Sequence, residues 1–217
     1  MAFRNRADAG RRLAEGLRPL GLSDPVLLAL PRGGVPVAFE IAAAFEVPLE
    51  VFVARKIGAP GHAERGIGAI GEEGGQAIDE AALQALGLSM GQFEKLADAE
   101  HMELQRRVRR YRAGRPLPEL VGRDVVVVDD GLATGVTAEA ALHALRSKQP
   151  RRLVLAVPVC APATAARLGD IADDVVCLLS PTDFHAVALW YEVFDQTNDD
   201  EVVDLLERAV EESARTR

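Results

Sequence analysis

Seven residues, Asp124 to Asp130 (DVVVVDD), constrain this chain more than any others. Valine is β-branched, stiff at χ1 and at home on a pleated surface. Four in a row leave no polar face, so the segment reads as a strand buried on both sides, as in a parallel sheet covered by helices. It ends abruptly in two carboxylates. Gly131 to Thr137 (GLATGVT) then reads as a loop of small residues, and Ala138 to Arg146 as a helix. Small residues let backbone wrap an anion closely, and the N–H groups at a helix start suit a phosphate. Thr134 and Thr137 add hydroxyl donors. Asp129 and Asp130 would repel that phosphate unless they had another task, and sugar hydroxyls or a magnesium ion would give them one.

The rest of the chain alternates strand and helix around this segment. Residues 4–18 read as an amphipathic helix, Val26 to Leu30 as a short buried strand, and Val35 to Phe45 as an apolar helix. Leu49 to Ile57 reads as a second strand, Ser89 to Arg112 as a long helix, Leu153 to Val159 and Val175 to Leu179 as further strands. Ala161 to Leu168 lies between those two as a helix. A last helix begins near Asp199, capped by Thr197 or Asn198. The expected fold is α/β: one doubly wound, five-stranded parallel sheet of order 2-1-3-4-5. Its switch point lies between strands 1 and 3, where PRGG (Pro31 to Gly34) and GLATGVT would meet.

The thirteen residues Val125 to Thr137 resemble the 5-phosphoribosyl-1-pyrophosphate (PRPP) signature of type I phosphoribosyltransferases: four apolar residues, two acidic ones, then a small loop with Thr-Gly and a closing Thr. The resemblance implies that Asp129 and Asp130 hold the ribose hydroxyls, with magnesium carried mainly through PRPP and water. It implies that Ala133, Thr134, Gly135, Val136 and Thr137 cradle the 5-phosphate. LALPRGG resembles the pyrophosphate loop of the same family, with Arg32 as the fork to pyrophosphate and Gly33 and Gly34 allowing close approach. Asp129, Asp130 and Arg32 are then the catalytic candidates. Arg55 and Lys56, read as the end of the second strand, are candidate phosphate contacts.

Gly58 to Gly75 holds seven glycines in eighteen residues and falls where the family carries a mobile lid. His62, Glu64 and Arg65 are its candidate side chains. Within it GIGAIG spells G-x-G-x-x-G, but nine residues after a strand and ahead of two glutamates, which argues against a dinucleotide site. The resemblance further implies a C-terminal hood over the acceptor; Phe184 and Trp190 are candidates to stack on a planar ring. The expected organisation is one domain over residues 1–217, with the core at about 22–180, lid and helical insertion at about 58–115, and hood at about 181–217. The expected reaction moves phosphoribosyl from PRPP to a small-molecule, nitrogenous acceptor and releases pyrophosphate. Ala133 stands where oxopurine enzymes commonly carry an acid, which counts against a hypoxanthine–guanine enzyme; the LATG string looks more like adenine-type loops.

Charge and composition narrow the alternatives. The formal net charge is −8, and residues 170–217 carry 13 acidic against 3 basic side chains. Nucleic-acid backbones need a basic face, which argues against such a partner. Arg106, Arg107, Arg109, Arg110 and Arg112 form the one cluster that would serve a PRPP-sensing, nucleic-acid-binding regulator of the same fold; a solvated helix end is the plainer reading. A PRPP or sugar-phosphate hydrolase is a weaker alternative. Two cysteines and four scattered histidines show no metal-ligand spacing. No apolar run approaches the roughly 20 residues needed to cross a bilayer, and the N-terminus lacks a signal-peptide core. A cytoplasmic protein is expected. The apolar stripe of Phe93, Leu96, Leu104, Val108 and Tyr111 faces either the core or a second subunit of a homo-oligomer.

Overall fold

The computed structural model describes residues 2–215, excepting the side chains of 63–65, 214 and 215. The valine run forms β6 (Asp124–Val128), with every residue buried. It lies in a five-stranded sheet with β1 (Val26–Ala29), β2 (Leu49–Val51), β7 (Arg152–Val159) and β8 (Asp174–Leu179). The spatial order is β2-β1-β6-β7-β8, and every pairing is parallel. That is the expected 2-1-3-4-5 order. The switch point falls between β1 and β6, where Val26 pairs with Val125 and Ala29 with Val128.

Alternation along these strands divides the core in two. Leu27, Ala29, Val126, Val128, Val154 and Ala156 face one cluster, built with α1 (Arg6–Leu17), α2 (Gly34–Phe45) and the C-terminal helix α7 (Asp199–Arg215). Val26, Leu28, Val125, Val127, Leu153 and Leu155 face the other, built with α5 (Val136–Arg146) and α6 (Pro162–Gly169). Both faces are therefore apolar and covered, the condition that continuous Val/Leu runs signal. Asn198 caps α7, its Oδ1 accepting from Glu201 N at 2.9 Å.

The second strand differs from expectation. Pairing with β1 ends at Val51, and the chain re-forms as β3 (Ala54–Ala59) in a separate antiparallel sheet with β4 (His62–Gly71) and β5 (Gln76–Ile78). Arg55 and Lys56 therefore lie on β3, not at the end of a core strand. Two short helical segments, Glu72–Gly74 and α3 (Glu80–Ala85), flank β5. The long helix α4 (Met90–Arg112) opens with a capping box between Ser89 and Gln92. Phe93, Leu104 and Tyr111 on its stripe are buried in the core of this chain rather than offered to a second subunit.

The Gly-rich segment is strand, not an open loop. Ile67, Ala69 and Ile70 are fully buried, and a Cβ on Gly75 would strike Ala140 O and Ala144 Cβ of α5 at 2.5 Å. Pro60 and Gly61, at the β3–β4 turn, are exposed, and a Cβ on Gly61 would meet nothing within 4 Å. A Cβ on Gly68 would meet Phe93 Cε2 and Ala77 O, each at 2.6 Å. The GIGAIG glycines thus serve close sheet packing and open no helix, which removes the dinucleotide reading. Glu64 and Arg65 lie outside the residues whose side chains are described; His62 begins β4 and is exposed.

Candidate functional site

The carboxyl ends of β1 and β6 meet at one point. Leu30 N donates to Val128 O at 2.8 Å, which sets the PRGG turn beside Asp129. The Pro31–Arg32 peptide is cis. A Cβ on Gly33 would sit 2.0 Å from Asp130 Oδ2, and one on Gly34 2.5 Å from Val128 O. Only glycine permits this approach of the two loops. Arg32, Gly33, Gly34, Asp129 and Asp130 are thus brought together as expected.

Asp129 Oδ1 accepts from the Asp130 backbone N–H at 2.8 Å. Asp130 Oδ2 accepts from both Nε and Nη2 of Arg6, each at 2.8 Å. Burial, and then the charge of Asp130, push the Asp129 carboxyl well above its usual range. Burial also raises Asp130, and Arg6 pulls it back. A half-buried pair of adjacent carboxylates resists holding two full charges, so neighbouring hydroxyl donors or a cation would be welcome there. Among the described residues no group of three or more His, Cys, Asp and Glu side chains could hold a metal ion.

The loop Ala133 to Thr137 is supported from behind. Gly135 has φ +69° and precedes α5, whose first-turn N–H groups have no partner within their helix. A Cβ on Gly135 would lie 2.5 Å from Thr164 Cγ2. Thr164 Oγ1 donates to Ala133 O at 2.6 Å, and Arg167 donates to Thr134 O while pairing with Glu139. These carbonyls are tied back, leaving Ala133 and Thr134 exposed on the open side. A cleft lined by Gly66, Ile78, Thr134, Val136 and Arg167 opens beside the loop. Another groove, between Ala42 and Val47 of the α2 end and Ala209 of α7, lies at the opposite end of α2 from PRGG.

The C-terminal segment reaches the acidic pair through residues outside the expected site set. Tyr191 donates its hydroxyl to Asp130 O at 2.6 Å. Arg6 stacks on Phe194, 3.9 Å from the ring centroid, and donates to Asp195 O at 2.6 Å. A Cβ on Gly131 would meet Val187 Cγ1 at 2.6 Å. Phe184 and Trp190 pack instead with Phe3 and Tyr191, and Trp190 Nε1 is buried without a hydrogen-bond partner.

Arg55, Arg106, Arg107, Arg110 and Arg112 are engaged by acids. Arg55 pairs with Glu100 of α4. Arg106 and Arg110 pair with Asp199, Arg110 also with Asp200, and Arg107 with Glu103. Arg112 alone departs from the expected solvated face, buried against Glu72 and Val51 O, whereas Arg106, Arg109 and Arg110 are exposed. Asp199 also accepts from Tyr111 Oη at 2.7 Å and lies 3.7 Å from Arg32 Nη1. Burial works against the Asp199 charge, but Tyr111 and Arg106 outweigh it and hold the carboxyl below its usual range. A nucleic-acid backbone would find this cluster largely neutralised.

The phosphoribosyl transferase domain family matches residues 2–192. The chain belongs to that family. A Mycobacterium tuberculosis protein provisionally named a phosphoribosyl transferase is 45% identical over 207 residues, 95% of this chain and 47% of its own length. The chain spans about half the length of the curated relatives it matches. A crystal structure from Thermus thermophilus is 45% identical, with TM-score 0.81 over 96% of this chain and 99% of that one. A Neisseria gonorrhoeae protein with bound ppGpp shares the fold at 19% identity and TM-score 0.52, over 96% and 98% of the two chains. No described helix is long and apolar enough to cross a membrane.

Proposed function

We propose that this phosphoribosyltransferase-family chain binds PRPP at the junction of β1 and β6 and transfers its phosphoribosyl group to a small-molecule acceptor. The observation that carries the reading is the contact between the two loops, with Gly33 against Asp130 Oδ2. One molecule reaching from a pyrophosphate fork to a 5-phosphate cradle must cross that contact, and its ribose then lies over the carboxylates.

In this reading the backbone N–H groups and hydroxyls of Ala133 to Thr137 hold the 5-phosphate. Asp129 and Asp130 accept from the ribose 2- and 3-hydroxyls. Arg32, with Gly33 and Gly34, holds the pyrophosphate; Arg55 and Lys56 on β3 are further candidates to contact it. An acceptor ring nitrogen forms a bond to ribose C1 as the C1–O bond to pyrophosphate breaks, and the bonding pair leaves with pyrophosphate. Positive charge develops on the ribose, where the carboxylates stabilise it and the loops fix its position. Two carboxylates without a third ligand suit magnesium, which keeps its waters and is shared with substrate phosphates. Such an ion would neutralise the leaving group. The exposed turn of residues 60–62 within the Gly-rich segment is the candidate lid, and Phe184 and Trp190 remain candidates for the acceptor hood. A cytoplasmic setting fits this substrate.

The test is calorimetric binding of magnesium–PRPP to wild type and to an Asp129→Asn, Asp130→Asn double variant, followed by pyrophosphate release with a panel of nitrogenous bases. Binding lost in the folded variant supports the reading. Absence of binding by folded wild type overturns it. Pyrophosphate release without any acceptor would make the protein a hydrolase.

A further inference from the structure

Asp199 stands where four donors converge. Tyr111 Oη is 2.7 Å away, Arg106 and Arg110 nitrogens are each at 3.3 Å, and Arg32 Nη1 is at 3.7 Å. The carboxylate is thus an anion built into the protein and set against the guanidinium of the PRGG loop. It is largely enclosed, with a side chain 16% exposed, whereas Arg32 is 28% exposed and open to an incoming ligand. Arg32 is also the most distant of the four. When it turns to another anion, Asp199 keeps three partners and stays compensated.

We propose that Asp199, from the first turn of α7, is a positioning residue that competes with pyrophosphate for Arg32 and so weakens the hold of the PRGG loop on that anion. The inference rests on the reading of Arg32 as the pyrophosphate ligand. An unopposed arginine would bind magnesium pyrophosphate and release it slowly. A carboxylate within 4 Å of the same guanidinium raises the free energy of the bound anion by direct repulsion and offers Arg32 a partner once the anion leaves. The effect falls with added salt, because the groups are partly exposed. Asp199 thereby links product departure to the contact between α4 and α7.

The sign of the effect separates this role from a merely structural one, since damage to the site weakens binding whereas loss of a competitor strengthens it. The start of α7 does not depend on the Asp199 side chain, because Asn198 supplies the cap. The experiment is calorimetry of magnesium pyrophosphate with wild type, Asp199→Asn and Asp200→Asn. Asp200 also pairs with Arg110 but is 91% exposed, and no contact with Arg32 is found. Asp199→Asn is expected to bind about three- to tenfold more tightly, with a gain that shrinks at high salt; Asp200→Asn is expected to match wild type. Asp199→Ser carries the same expectation should the asparagine variant fold poorly. Equal or weaker binding by the folded Asp199 variants overturns the proposal, as does an equal gain in Asp200→Asn. If neither wild type nor variants bind pyrophosphate or PRPP, the functional reading falls with it. Wild-type binding without a gain sinks the competition alone.

Discussion

Gly33 and Asp130 touch across the two loops, closely enough that a methyl group on Gly33 would lie 2.0 Å from Asp130 Oδ2. Asp130 cannot swing aside cheaply, because Arg6 grips the same oxygen twice. Gly33→Ala is therefore expected to part the loops while leaving the sheet intact. Affinity for magnesium–PRPP should fall at least about tenfold, worth roughly 1.4 kcal/mol. Calorimetry beside a thermal melt checks this; an unchanged Kd would show that the loops act separately.

Arg6 compensates a half-buried carboxylate from a helix 124 residues away in sequence. Arg6→Ala leaves Asp130 without its cation and Phe194 without its stacking partner. Stability should fall by about 1–3 kcal/mol, measured by urea denaturation. A smaller loss would mean that solvent already reaches this carboxylate.

Glu72 and Arg112 form a buried ion pair that ties the antiparallel sheet to α4 and to Val51 of the main sheet. Removing one partner strands the other charge. Arg112→Met is expected to cost about 3–5 kcal/mol, and pairing it with Glu72→Leu should recover much of that loss. Chemical denaturation of the single and double variants decides the point, and additive losses would contradict it.

Tyr111 is pushed up to about 12 by burial first and by Asp199 second. Its folded value is thus above its unfolded one, near 10. The stabilisation is complete below pH 10 and is lost as pH rises through about 12. Ultraviolet titration should show neither tyrosine ionising near the ordinary value, since burial and Asp130 raise Tyr191 as well, and Asp199→Asn should bring Tyr111 alone earlier. A Tyr111 that titrates normally would place its hydroxyl in solvent.

How much of this was legible in the sequence depends on how far each signal reaches. The valine run and its two aspartates declare a buried strand and a charged end within seven residues, so strand order and both loops could be anticipated. The break in the second strand was hidden, because Phe52 and Val53 are fully buried and hydrophobicity does not fall where the chain changes sheets. The Gly-rich segment read as a loop because small residues against α5 look like flexibility until their neighbours are known. Arg6, Tyr191 and Asp199 left no local mark. They reach the site only through contacts spanning 124, 61 and 167 residues. Scarcity was the one available hint for Tyr191, one of two tyrosines in the chain.

Tyr191 closes on Asp130, and the backbone of Phe3 pairs with that of Tyr191. During translation the acidic loop leaves the ribosome 61 residues ahead of the tyrosine that bonds to it. Phe3 has by then waited 188 residues for its partner. A nascent chain thus displays the Asp130 carbonyl without its tyrosine, and Phe3 without its bridge partner, until Tyr191 emerges. The order of manufacture completes the corner around Asp130 only after all five strands of the main sheet have emerged.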